Sequence, residues 1–224
     1  MKVLSNIKYF PEKLPSLEIL LRRNKKYKDH FKKNLLFSLM NTGYFNTKRK
    51  RDIFLEYFQV WSNYFQKTML LKTALCEDPN FTPIFNQHFT EEFGHDQILN
   101  SERPKINVKK DPILEALCNW FLSKMLSFSP HEQVVVMNLC VEATAVIFYS
   151  YAIPAIDPHQ QLEHFKAHET VDVEHEKMGL SLLQDLSVSQ YERLLEIQED
   201  SWAIFEALMN RIAELVQENS PHTV

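Results

Sequence analysis

An all-α domain built from seven helices is the fold this sequence predicts, and three observations carry the prediction. Glycine is scarce: Gly43, Gly94 and Gly179 are the only three in 224 residues. Strand-rich and α/β domains use glycine freely in their turns, so its scarcity favours long helices with short connections. Proline stands behind a small polar residue four times, at Thr82-Pro83, Asp111-Pro112, Ser129-Pro130 and Asp157-Pro158, the arrangement of a helix cap followed by the first helical position. No stretch of alternating apolar and polar residues interrupts the helical periodicity. The length suits one domain over residues 1–224, with its core between about 15 and 217.

The elements follow in order. Pro15 opens a helix to about Asn41, closed by Thr42-Gly43. Thr47 caps a second, from about Lys48 to Cys76, whose aromatic stripe Phe54, Tyr57, Phe58, Trp61, Tyr64 and Phe65 reads as core. Thr82-Pro83 opens a third, running unbroken to about Ser101, and an irregular connection follows up to Lys110. Asp111, Ser129 and Asp157 cap the fourth, fifth and sixth, which end near Ser127, Ala152 and Gln184. The seventh runs from about Ser189 to Gln217, behind Ser187.

A formal charge of −4 gives no general attraction to nucleic acid or anionic membranes. Basic residues nonetheless gather at Arg22-Arg23-Asn24-Lys25-Lys26, Lys32-Lys33 and Lys48–Arg51. They read as a solvated helix face, or else as a rim for an anionic substrate or an acidic carrier or reductant protein. Cys76, Cys118 and Cys140 are odd in number and form no spaced framework, which suits a reducing cytoplasm. The start, MKVLSNIKYFPEKLP, has no apolar run of signal-peptide length, and no segment offers 18 consecutive apolar residues. A cytoplasmic protein is therefore expected.

Chemistry is concentrated in a pattern that occurs twice, His88-x3-Glu92-x2-His95 and His168-x3-Asp172-x2-His175. On a helix, residues i, i+4 and i+7 fall within about 60° of one another. With 9 His and 29 acidic residues, one such match is expected roughly 0.05 times per chain of this composition. Glu92-x2-His95 is also the Glu-x-x-His spacing with which helical bundles hold paired metals. Glu91 and Asp96 point away from that face. Gly94, costly in a helix interior, suggests that a substrate or another backbone passes close by.

The fifth helix carries Glu142 within VVVMNLCVEATAVIFY, with Asn138 one turn earlier. A carboxylate there is desolvated and needs a cation or hydrogen bonds. Metal ligation answers that need, as would a core hydrogen bond or an arginine. In the sixth helix, His164 lies one turn before His168 on the ligand face, as a supporting or surface residue, and Gly179 removes bulk past His175. Each motif taken alone also reads as a polar helix face. Together, Glu92, His95, Glu142, His168, Asp172 and His175 supply three imidazoles and three carboxylates, with His88 as a possible seventh ligand. Such a set without thiolate suits iron or manganese rather than structural zinc, and six ligands suit two ions.

These residues resemble the haem-oxygenase-like di-iron oxidase superfamily, whose fold is shared with TenA-type thiaminases and PqqC-like proteins, the latter completing pyrroloquinoline quinone. The resemblance covers about residues 15–215 and is most specific at EEFGH (91–95), at Glu142, and in HFKAHETVDVEH (164–175). It implies a seven-helix haem-oxygenase-like bundle, often a homodimer, with two Fe ions (manganese being possible) on the six residues above. It also implies dioxygen-dependent oxidation of a small-molecule substrate: decarboxylation, desaturation, N-oxygenation or carbon–carbon cleavage. Some members place the third helix's acid seven residues before its histidine, where this chain has His88. The chain has no flavin or nicotinamide fingerprint, so an external reductant or the substrate must supply electrons. Two alternatives stand beside this reading. One is a metal-independent TenA- or PqqC-like enzyme acting on a thiamine-like or quinone-precursor heterocycle, with Cys140 as nucleophile, although Thr144 stands where that pattern has tyrosine. The other is a non-enzymatic binding protein with a vestigial metal site and a basic first helix for a partner. A haem protein using His30 lacks the surrounding small residues.

Overall fold

Seven helical runs lie where the sequence places them, and three are broken by local chemistry that periodicity does not show. The computed structural model describes residues 14–159 and 161–220, apart from the side chains of 169–173. Among the described residues there is no strand. The first run is two helices, α1 (Leu17–Phe31) and α2 (Leu35–Asn41). Asn34 makes the break by capping α2, its side chain accepting from the Leu36 N–H. The second is α3 (Lys48–Ala74), and Thr47 makes no side-chain cap bond to it. The third divides into α4 (Thr82–Glu92) and α5 (His95–Glu102). The fourth is α6 (Pro112–Lys124), where Asp111 accepts from the Leu114 N–H. A cap of this kind contributes about 1 kcal/mol.

The fifth run is one continuous helix, Pro130–Ile156. It starts as α7 (Pro130–Val134) with a Ser129–Glu132 capping box, widens to a π-helical segment over Val135–Glu142, and returns to α geometry as α8 (Ala143–Ile156). Its composition would allow a membrane span, but 78% of its most apolar window is buried by the other helices. Asp157 then holds the turn through the N–H groups of Gln161 and Leu162. The sixth run is α9 (Glu163–His175), shorter than predicted, with a separate 3-10 turn at Leu180–Leu183 beyond Gly179. The last is α10 (Val188–Asn219), capped by Ser187 and Gln190.

Helix α3 packs on α4, α5, α6 and α10, while the 130–156 helix lies against α2, α9 and α10. Of the aromatic stripe, Phe54, Tyr57, Phe58 and Trp61 are buried, as the core assignment requires. Trp61, Phe121 and Phe205 meet edge to face at 4.9–5.6 Å, contacts each worth about 0.5–1.5 kcal/mol beyond burial. Glu56 accepts from Arg103 and from the Ile106 N–H, pinning the irregular connection onto α3. Between α3, α4, α5, the 130–156 helix and α9, buried polar side chains replace the hydrocarbon.

Candidate metal centre

Helix α4 stops because Phe93 is extended (φ −66, ψ 121) and Gly94 is left-handed at φ +91. A Cβ on Gly94 would meet nothing within 4 Å. The glycine is therefore present for its backbone conformation, and among the described residues no other backbone comes close to it. Gln66 Oε1 accepts from the Gly94 N–H at 2.8 Å and ties the break to α3. The break makes His95 the first residue of α5 and brings its Nδ1 to 3.0 Å from Glu92 Oε2.

The widened segment of the 130–156 helix carries the second carboxylate. A π-helix holds an extra residue per turn and is rare outside functional sites. Here it lets Asn138 and Glu142 reach the same imidazole. Asn138 Nδ2 lies 3.1 Å from His88 Nδ1, and Glu142 Oε1 lies 3.0 Å from His88 Nε2. Asn138 Nδ2 also donates to the His175 carbonyl at 3.1 Å. The third wall is α9, which delivers His164, His168 and His175 to the interior.

The predicted residues gather as two groups that share Glu92. One contains His88, Glu92, Glu142 and His175, all buried; the other contains Glu92, His95 and His168. Within each group one donor atom per residue lies within 4.8 Å of the others. The side chain of Asp172 lies outside the described residues. His175 Nδ1 faces Glu92 Oε1 at 3.0 Å and Glu142 Oε2 at 3.7 Å. Neither His175 Nδ1 nor Glu92 Oε1 makes a hydrogen bond of acceptable geometry. Two orphaned buried polar atoms aimed at one point, with mixed imidazole and carboxylate donors around them, fit a metal ion.

Without a metal ion, a proton on His175 supplies the positive charge that the two buried carboxylates need, and a metal ion would take its place. Burial alone would raise Glu92, yet His175 and His95 hold it well below the ordinary carboxylate range. Glu142 is likewise held low against burial by His88 and His175. Burial pulls His175 down, but Glu142 and Glu92 outweigh it and push the imidazole up to about 11. His88 is lowered by burial and by Lys72.

Several neighbours escaped the sequence reading. Glu91, expected to point elsewhere, accepts from His175 Nε2 at 2.7 Å. An imidazole carries nitrogens on two edges, so adjacent residues of α4 reach it from both. Lys72 is fully buried, with Nζ 3.1 Å from His88 Nδ1 and 4.6 Å from the centre of the Phe85 ring. Burial lowers it to about 7 despite Glu142 and Glu92. Its place in the series Trp61, Phe65, Thr68, Lys72 was a legible signal, since these positions share one helix face. His164 is buried rather than superficial: its Nδ1–H donates to the His95 carbonyl at 2.9 Å. Burial and His168 bring it down to about 3, so the ring is neutral and Nε2 accepts from the Tyr149 hydroxyl at 3.1 Å. Tyr149 also stacks on His168, centroids 4.7 Å apart and planes 5° apart.

An apolar cavity of about 40 Å³ opens on this cluster. Glu142, His95 and His168 form part of its wall, and Phe58, Trp61, Phe65, Val141, Ala145 and Phe148 supply most of the rest. The α3 stripe is thus both core and cavity wall. Gly179 (φ +78) lies where a Cβ would come 3.0 Å from Val134 Cγ2, so it does relieve crowding against the 130–156 helix. Cys140 is buried, is not among the cavity's lining residues, and has its thiol pushed well up by burial. His30 is half-exposed beside Glu206, with Nε2 at 3.3 Å from its carboxylate. The basic first helix is partly paired, Arg23 with Glu199 and Lys28 with Glu176.

No family profile matches the chain. An uncharacterized protein of Rickettsia prowazekii is 35% identical over 199 residues, covering 89% of this chain and 95% of the relative. Among solved structures, a domain of unknown function with a haem oxygenase-like fold from Shewanella denitrificans superposes with a TM-score of 0.64 at 14% identity. It covers 92% of this chain and 96% of that one. A TenA homologue from Pyrococcus furiosus gives a TM-score of 0.55 at 14% identity, over 89% and 97% of the two chains.

Proposed function

This chain has the haem-oxygenase-like fold and belongs to the family of that rickettsial protein, and we propose that it is a dioxygen-dependent di-iron oxidase or oxygenase of a small organic molecule. The observation that carries the reading is the shared carboxylate: Glu92 belongs to both buried donor groups, and its Oε1 and His175 Nδ1 face each other without a hydrogen bond. One ion would be held by Glu92, Glu142 and His175, the other by Glu92, His95 and His168, with Asp172 added to the set on its spacing alone. Iron suits this donor set, as does manganese. When bound, such a pair supplies the reduction of dioxygen coupled to oxidation of an organic substrate, with electrons from that substrate or an external reductant.

The chain's own residues prepare that chemistry. Glu91 accepts the Nε2 proton of His175 and leaves Nδ1 facing the carboxylates. His88 has two donors, Lys72 and Asn138, at its Nδ1. Its own proton therefore sits on Nε2 and is donated to Glu142, which makes His88 the residue that orients Glu142 rather than a ligand. His164 and Tyr149 hold His95 and His168 in place from behind. The aromatic wall keeps bulk water from the cavity and offers an apolar substrate its surface.

The test is anaerobic Fe(II) titration of purified protein, followed by an oxygen pulse read by stopped-flow absorbance. His168→Ala and Glu142→Ala run alongside. Uptake of about two irons per chain, with a transient visible band that both substitutions abolish, is the expected result. Weak uptake with no oxygen-dependent signal would overturn the di-iron reading and return attention to metal-independent chemistry of the TenA kind.

A further inference from the structure

The buried donor groups are bordered by a second hollow, unlike the aromatic cavity. An open groove of about 840 Å³ runs over α4, the start of α5 and the end of α9. Gln87, Glu91, His95, Glu174, His175 and Lys177 form most of its wall. Among the described residues, only His95 lines both the groove and the cavity. Two of the wall residues meet the shared carboxylate directly. His175 Nδ1 lies 3.0 Å from Glu92 Oε1, and His95 Nδ1 lies 3.0 Å from Glu92 Oε2. A single imidazole therefore links the groove wall to each oxygen of Glu92. The His175 side chain is wholly buried, while Glu91, whose Oε2 accepts from it at 2.7 Å, is 38% exposed. Gln87 Nε2 donates to Glu91 Oε1 at 3.0 Å, and Lys177 pairs with Glu174 at 3.1 Å. Glu91 is thus the carboxylate that joins solvent to the buried cluster.

A metal ion must exchange its water for protein ligands on the way to Glu92, and a charge stripped of water against hydrocarbon is costly. The cavity, walled mostly by aromatic and aliphatic side chains, imposes that cost. The groove instead offers a carboxylate in contact with water and imidazoles behind it, donors that can replace water in turn. We infer that divalent metal enters from the groove, with Glu91 as the carboxylate that first takes the hydrated ion and His175 and His95 as the residues that pass it to Glu92. Metal and organic substrate then reach the centre from different hollows. The inference rests on the di-iron reading for its cargo, and it adds the route.

Gln87 is exposed and bonds to Glu91, so the charge of the groove can be changed without replacing a ligand candidate. Co(II) is mixed anaerobically with metal-free protein at low salt, and loading is followed in a stopped-flow instrument by its visible d–d absorption. Gln87→Glu should speed loading about fivefold and Gln87→Lys should slow it about fivefold, the factor for a divalent ion about 8 Å from one added charge in water. The final stoichiometry should match that of the parent protein, and about 1 M salt should shrink both effects. Asn119→Lys, exposed on α6 and outside the groove wall, makes the same change of net charge and should leave the rate unaltered. Thermal melts establish that the three variants are folded. Rates indifferent to Gln87, or an Asn119→Lys protein slowed as much as Gln87→Lys, would overturn the inference. Two ions per chain loaded at such indifferent rates would sink it alone. One ion per chain loaded at rates ordered by the charge at Gln87 would sink only the di-iron reading, and no loading at all would sink both.

Discussion

Replacing Gly94 by alanine separates a broken helix from a continuous one by the sign of the stability change. In a continuous helix over 83–101, as periodicity alone predicts, the substitution would stabilise the protein by about 1 kcal/mol. In the structure Gly94 sits at φ +91, with nothing within 4 Å of where a Cβ would stand. No steric contact is added, so the cost is that of the left-handed backbone alone, about 1–2 kcal/mol. With a urea slope of about 2–3 kcal/mol per molar, the midpoint should fall by roughly 0.5 M. Gly179→Ala is the comparison. It has the same backbone cost at φ +78, and its Cβ also comes 3.0 Å from the packed Val134, so it should lose more. Urea unfolding followed by circular dichroism measures both. A midpoint that rises for Gly94→Ala would refute the broken helix and the placement of His95 that depends on it.

Three further outcomes follow from the buried groups. Lys72, lowered from 10.5 to about 7, stays neutral in the metal-free fold as pH falls from about 10 to 7 while the unfolded chain takes up the proton, so the fold loses stability progressively across that window. Lys72→Met should therefore stabilise metal-free protein by a few kcal/mol at neutral pH and by little near pH 10; parallel stability–pH curves for the two proteins would count against this. Tyr149→Phe keeps the ring on His168 but leaves His164 Nε2 without its donor, a loss of about 1–3 kcal/mol in denaturant melts, and an unchanged melt would mean that the pair is not formed. Native thiol labelling should reach the half-buried Cys76 first, and Cys118 and Cys140 only on unfolding; fast labelling of Cys140 would revive it as a nucleophile.

The fold was legible because its signals are local. Asp111, Ser129 and Ser187 cap helices where the sequence places them, each through a side-chain oxygen that can reach the N3 amide. The Asn34 break was not legible, since the chain from Phe31 to Leu35 has neither glycine nor proline to mark it. Its reason is tertiary: Asn34 caps α2 while its Nδ2 donates to the Glu206 carbonyl on α10. The sequence likewise offered His88 as a possible seventh ligand beside Glu92. The structure gives each its own place, because His88 meets Asn138 and Lys72, two donors from other helices.

The site combines regular helix, which carries His88, Glu92 and His168, with positions where the helix is interrupted or ends. Glu142 is the last residue of the π-helical segment, His95 the first after the Gly94 break, and His175 the last of α9 before the chain turns toward Gly179. In a regular helix the i, i+3 and i+4 side chains share a face but diverge from one another along the axis. Glu92 Oε2 and His95 Nδ1 meet at 3.0 Å across the Gly94 break, and Asn138 and Glu142 meet the two edges of one imidazole from the widened segment. Sites of function are where local propensity and final structure are expected to disagree. The sequence therefore names the residues through their spacing, while the chemistry depends on where that spacing is locally broken: a left-handed glycine and a widened turn convert three helix faces into two donor groups that share one carboxylate.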